Sequence, residues 1–162
     1  MEATQLNHNS SIEELAFNIT EKTLEKTQYL HAALTETLRL YPAIPTRVKK
    51  GQSVTYLPYA MGRMKYLRGD DAEEFRPERW LDESGRFQRE SPFTFTAFQA
   101  GPRICFGKEF AYMQMKIFCM ILLASYKFKL SDENKPVKYR TRLTLQINGG
   151  LHLHATSRLI HS

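Results

Sequence analysis

The stretch Phe98-Gln99-Ala100-Gly101-Pro102-Arg103-Ile104-Cys105-Phe106-Gly107 decides the fold. It places one cysteine in a short segment bounded by glycines. The run Lys108-Glu109-Phe110-Ala111-Tyr112-Met113-Gln114-Met115-Lys116-Ile117-Phe118 follows directly and reads as a helix. Gly101 and Gly107 have no Cβ, so positive φ is expected at both, with N–H groups turned toward the sulfur. A helix N-terminus beside Cys105 is expected to favour the thiolate. Arg103 offers a planar fork of donors suited to a carboxylate, and Phe98 a ring that can shield the sulfur from water. Taken alone, a cysteine before an apolar helix is more often a buried small hydrophobe than a ligand.

Two segments upstream change that reading. Thr35-Glu36-Thr37-Leu38-Arg39-Leu40-Tyr41-Pro42 puts Glu36 and Arg39 three apart, on one face of a helix. Phe75-Arg76-Pro77-Glu78-Arg79-Trp80 supplies a second arginine from a later loop. By itself the first pair would be an exposed ion pair worth under about 0.5 kcal/mol.

Together, and in this order, the three segments resemble those of the cytochrome P450 family. The Phe-x-x-Gly-x-Arg-x-Cys-x-Gly haem loop has every fixed position filled, the Glu-x-x-Arg helix precedes it, and the Pro-Glu-Arg-Phe segment carries Trp80 at its aromatic position. The resemblance implies haem b, iron protoporphyrin IX, with Cys105 as the axial iron ligand. Phe98, Gly101, Arg103 and Gly107 would surround the cofactor, Arg103 facing a propionate, and Glu36, Arg39 and Arg79 would form a buried structural cluster. A thiolate ligand pushes electron density onto iron and favours O–O cleavage. The wording Tyr59-Ala60-Met61-Gly62-Arg63-Met64 and Phe95-Thr96-Ala97-Phe98-Gln99-Ala100-Gly101 most resembles plant long-chain fatty-acid ω-hydroxylases of that family. This implies insertion of one oxygen atom from O₂ into a C–H bond of a lipophilic substrate, a long-chain fatty acid. NADPH-derived electrons would arrive through an acidic flavoprotein reductase, at the cytosolic face of the endoplasmic reticulum membrane.

The 162 residues, 42% hydrophobic and 12% aromatic, suffice for one globular core. The expected fold is mainly α with small β-sheets, the C-terminal part of the cytochrome P450 fold, with residues 1–162 as one partial domain. No glycine precedes Gly51, so the Ala/Gly-Gly-x-Asp/Glu-Thr motif of the oxygen-activating helix is not in the chain. A competing reading is therefore a truncated, catalytically inactive remnant that binds haem or another protein. Residues 1–11 are polar, and no signal peptide or transmembrane segment of about 20 apolar residues is expected. As written, the chain reads as unanchored and cytoplasmic. Only five residues separate Pro45 from Gly51, where the resemblance calls for a strand and a hairpin, so a deletion is expected and Arg47 is given no propionate role.

Elsewhere the pattern predicts a helix over residues 12–20 opened by a capping box at Ser11. A second helix follows, with Leu30, Ala33, Leu34, Thr37, Leu38 and Tyr41 on its apolar face, ended by Pro42. A strand is expected over residues 53–57, a short helix over 59–64, a solvated charged loop over 70–90, and extended chain over 92–98. The helix after Cys105 should run to about Ser125, offering Ile117, Phe118, Ile121 and Leu122 to a core. Residues 143–147 and 151–154 read as a hairpin on Asn148-Gly149.

His152 and His154 share a strand face, but without a third ligand they read as polar strand positions rather than zinc ligands. Cys119 reads as a core residue, and two cysteines without metal spacing suggest a reducing compartment and no disulfide. The net charge of +6 comes from basic residues that are scattered and not interleaved with aromatics, which argues against nucleic acid. Lys108, Lys116 and Lys127 are the residues expected to meet the acidic reductase.

Overall fold

The computed structural model describes residues 12–45, 47–49 and 54–158. Among the described residues there are six helices, six short strands and two single 3₁₀ turns. The chain opens with α1 (Ile12–Phe17), α2 (Glu21–Glu25) and α3 (Gln28–Leu40). The expected helix over residues 12–20 is thus broken. Thr20, extended at φ −108°, accepts from the Thr23 N–H and caps α2 instead of continuing α1. Ser11 lies outside the described residues, so the capping box finds no test here.

Next come β1 (Arg47–Lys49) and β2 (Val54–Tyr56), an antiparallel pair with Val48 opposite Thr55. An antiparallel strand pair therefore follows Pro45, where the residue pattern announced only the second strand. The side chain of Arg47 is outside the described residues. Two single-turn helices follow, α4 (Pro58–Met61) and α5 (Lys65–Arg68), then the 3₁₀ turn Pro77–Trp80. After a second 3₁₀ turn, Gly101–Arg103, the long helix α6 runs over Lys108–Ser125, as the pattern predicted.

The C-terminal strands pair differently from the expected hairpin. β3 (Tyr126–Leu130) takes β6 (Leu153–Ser157), and β4 (Tyr139–Thr141) takes β5 (Leu145–Ile147), both antiparallel. Gly149 and Gly150 sit at φ +81° and +77°, and Asn148 donates its N–H back to the Lys138 carbonyl, so this turn sends the chain on to β3 rather than folding it onto β5. Residues 92–98 form turns, not extended chain, with the Thr94 and Phe95 N–H groups both reaching the Ser91 carbonyl.

The core is small and lies between α3, the 3₁₀ turn at Trp80 and the loop before Cys105. Ala32, Trp80 and Phe95 form its centre, with Leu38, Leu81, Phe87, Ala97 and Phe98 packed around them. The charged loop over residues 70–90 is thus not merely solvated, since it delivers Trp80 and the fully buried Ala72. Helix α3 buries Ala32, Thr35, Glu36, Arg39 and Leu40, whereas Thr37 and Tyr41 are exposed. The face turned inward is the charged one, for reasons the next section gives. Helix α6 turns Tyr112, Lys116 and Ser125 inward, leaving Ile117, Ile121 and Leu122 half-buried and Phe118 exposed, against expectation.

Much apolar surface stays uncovered. The accessible surface is 12344 Å², against roughly 8300 Å² for a closed monomer of 18.9 kDa. Phe106, Phe110, Met113 and Phe118 form part of that surface along and just before α6.

Candidate functional site

Glu36 is the centre of a buried polar cluster, and its side chain is completely buried. Its Oε2 accepts from Arg39 Nε at 2.7 Å and from the Trp80 indole N–H at 2.8 Å. Its Oε1 accepts from Arg39 Nη2 at 2.7 Å, the Arg76 backbone N–H at 2.9 Å and Arg79 Nε at 3.0 Å. Burial pushes the Glu36 carboxyl pKa up. The hydrogen bonds from Arg39, Arg76 and Trp80, with the Arg39 charge, more than offset this and hold it below the usual range.

Arg39 is satisfied just as fully. Beyond Glu36 it donates through Nη1 to the carbonyls of Gly62 and Ala72, the latter at 2.6 Å, and through Nη2 to the Glu74 carbonyl at 3.0 Å. All five guanidinium N–H donors are therefore used. Arg79 adds bonds to the carbonyls of Arg68 and Asp71 at 3.2 and 3.1 Å, and Asp71 also pairs with Arg76 at 2.7 Å. This accounts for the orientation of α3. Two buried charges are tolerated only when paired and fully hydrogen-bonded, and every partner outside α3 comes from segments wrapped over that one face.

Glu36, Arg39 and Arg79 are brought together, as the motifs required. Trp80 as a direct donor to Glu36 was not read from the sequence. The signal was available, because a buried indole N–H needs an acceptor and this is the only tryptophan in the chain.

The Cys105 loop packs on the same core through Phe98. Its N–H donates to the Phe98 carbonyl at 2.9 Å, closing the loop. Gln99 and Gly101 take φ +64° and +67°, and a Cβ at Gly101 would meet nothing within 4 Å. Gly107 differs from expectation. Its φ is −82°, and a Cβ there would lie 3.9 Å from Cys105 Sγ, an ordinary van der Waals contact. The Cys105 thiol is free and exposed. Phe98 does not roof it, since its ring tilts against Tyr112 with centroids 5.3 Å apart. Arg103 is exposed, with no ion pair or side-chain hydrogen bond among the described residues.

Lys116 cannot serve in docking. It is 8% exposed and donates to the Leu24 carbonyl at 2.9 Å, at the C-terminal end of α2 where a cation is favoured. Burial lowers its pKa. Lys127 is exposed and Lys108 half-buried, its Nζ 6.0 Å from the Phe98 ring centroid. Cys119 is half-buried on α6, and burial raises its pKa. His152 and His154 are exposed on the strand side of the molecule. Among the described residues no three metal-capable side chains gather, and no helix is long and apolar enough to cross a membrane.

Comparison with known proteins agrees with this geometry. The family profile described as Cytochrome P450 matches residues 4–154. The chain is 51% identical to Cytochrome P450 704C1 of Pinus taeda, over 93% of this chain and 32% of that protein. It is 50% identical to Cytochrome P450 704B1 of Arabidopsis thaliana, over 93% of this chain and 31% of that protein. It is 36% identical to Alkane hydroxylase MAH1 of the same plant, over 84% of this chain and 30% of that protein. The chain belongs to the cytochrome P450 family and has the mixed helix and small-sheet fold of part of that domain. It spans about a third of the length of these relatives. Membership implies a haem cofactor.

The residues present fit one face of such a group. An exposed thiol stands on a closed loop, open space lies beside Gly101, an unpaired guanidinium lies two residues away at Arg103, and exposed Phe106, Phe110 and Met113 supply apolar surface.

Proposed function

We propose that this chain supplies the thiolate-ligand half of a haem monooxygenase site that oxygenates a C–H bond of a long-chain fatty acid. The observation that carries the proposal is the exposed Cys105 thiol on a loop closed by its own N–H to Phe98 and leading into α6. Cys105 would hold the iron and Arg103 would pair with a propionate, while Gly101 leaves room for the flat ring. Haem bound there supplies dioxygen activation, favoured by a thiolate ligand.

The chain's own residues do three things. The Glu36–Arg39–Arg79 cluster locks α3 to the loops behind the haem loop. Phe98 and its neighbours keep the back of the loop dry, and the exposed apolar face of α6 meets the remainder of the site. Electrons derived from NADPH would come from an acidic flavoprotein reductase, with Lys108 and Lys127 rather than Lys116 as its contacts. The fatty-acid assignment draws on the resemblance to plant ω-hydroxylases and on the likeness to a protein named as an alkane hydroxylase.

A second reading, a remnant that associates with other proteins but does not catalyse, is favoured by the apolar surface left open around Phe106 and Phe118. One experiment separates the two. The chain is expressed with haem, reduced, exposed to CO, and compared with Cys105→Ser. A strongly red-shifted Soret band that disappears in the variant supports thiolate ligation, whereas identical spectra refute it.

A further inference from the structure

Behind the Cys105 loop stands an aromatic stack that neither the haem-contact residues nor the Glu36 cluster accounts for. The His31 ring is held between Phe87, at 4.2 Å between centroids, and Tyr112, at 4.3 Å and nearly parallel. Tyr112 is 3% exposed. Its hydroxyl and the Thr35 hydroxyl are 2.9 Å apart, and Thr35 also bonds the His31 carbonyl at 2.8 Å. Tyr112 also touches the Phe98 ring, with centroids 5.3 Å apart, and the Phe98 carbonyl is the acceptor of the Cys105 N–H. Contact is therefore continuous from α3, through Thr35 and Tyr112, to Phe98 and the ligand loop.

We propose that Tyr112 is a positioning residue for Cys105. Its ring, clamped by the Thr35 hydroxyl and the His31 face, fixes Phe98 and so the direction in which the loop presents its sulfur. This deepens the haem-thiolate reading and rests on it for its purpose, though the brace itself needs no haem. Two features single out Tyr112. It lies seven residues after Cys105 on the helix that the loop enters, so it ties both ends of the loop to α3. The cavity beside the stack holds about 30 Å³, room for a water and for no replacement side chain. An aromatic face also constrains a neighbouring ring in angle, which an aliphatic side chain of similar bulk does not.

The test is native-state hydrogen exchange on the haem-free chain, reading two N–H groups. One is the Cys105 amide, bonded to Phe98, and the other is the Arg76 amide, bonded to Glu36 and outside the cavity that Tyr112 lines. Tyr112→Phe keeps the ring and should leave the Cys105 amide within about twofold of wild type. Tyr112→Leu should speed its exchange at least about tenfold while the Arg76 amide stays within about twofold. Thr35→Val, which removes only the hydroxyl clamp, should give a smaller acceleration confined to Cys105. The proposal is overturned if Tyr112→Leu leaves Cys105 unchanged, or if Cys105 and Arg76 accelerate together. Absence of the thiolate band in the wild-type CO spectrum would instead refute the haem reading, so the two failures are distinguishable.

Discussion

Replacing Glu36 by Gln changes the size of the side chain hardly at all and removes its charge, which makes it a sharp probe of the buried cluster. The carboxylate accepts three N–H donors on Oε1 and two on Oε2. A glutamine has one acceptor oxygen. Placed at the Oε1 position it keeps three bonds, but its NH₂ then faces Arg39 Nε and the Trp80 indole, donor against donor. Two buried donors left unsatisfied cost about 1–3 kcal/mol each. Approached from the charge instead, leaving Arg39 buried without its partner costs about 3–5 kcal/mol. The two routes agree on a loss of about 3–5 kcal/mol, a large part of the total stability of an ordinary domain. Urea denaturation followed by fluorescence measures it directly, because Trp80 is the only tryptophan and touches residue 36. A denaturation midpoint in Glu36→Gln equal to that of the wild type, with an unchanged slope, would refute the claim that this carboxylate organises the core.

Two other outcomes follow from particular contacts. A Cβ on Gly62 would sit 2.2 Å from the Arg39 backbone oxygen, so Gly62→Ala must push α4 away from α3; it should cost about 1–3 kcal/mol, measured by thermal melting. The second concerns pH. Burial, aided by Lys116, Lys108 and Arg89, lowers the His31 pKa from 6.5 to about 4. Between those values the unfolded chain binds a proton that the folded chain refuses, so stability is full above pH 6.5 and falls as pH drops toward 4. The whole shift is worth about 3 kcal/mol, and partial solvent access reduces it to about 1–2. His31→Phe should flatten the decline in urea midpoint between pH 6.5 and 5, and an undiminished slope would count against His31 as its source.

The sequence alone carried the family. Cys105, Arg103 and Gly101 in one short segment, with Glu36, Arg39 and Arg79 upstream, are local patterns whose spacing survives without coordinates. It also placed α6 to within a residue, because an unbroken run from Lys108 to Ser125 contains no glycine or proline. Which face of α3 turned inward was not legible from periodicity, although the family resemblance implied that Glu36 and Arg39 are buried. A helix stripe of Leu30, Leu34 and Leu38 signals burial by periodicity, whereas burial of Glu36 and Arg39 depends on carbonyls at Gly62, Ala72 and Glu74 that only the folded chain assembles.

Strand pairing was beyond the sequence for the same kind of reason. Asn148-Gly149 announced a turn, but β5 takes the adjacent β4, and β6 is left to the sequence-distant β3. Lys116 shows the reverse error, a charged residue read as surface that tertiary packing buries against the end of α2. Local chemistry, such as a thiol on a tight loop, is written in adjacent residues. Burial of charge and the choice of strand partner are decided by groups distant in sequence, which only the closed tertiary structure brings within hydrogen-bonding reach.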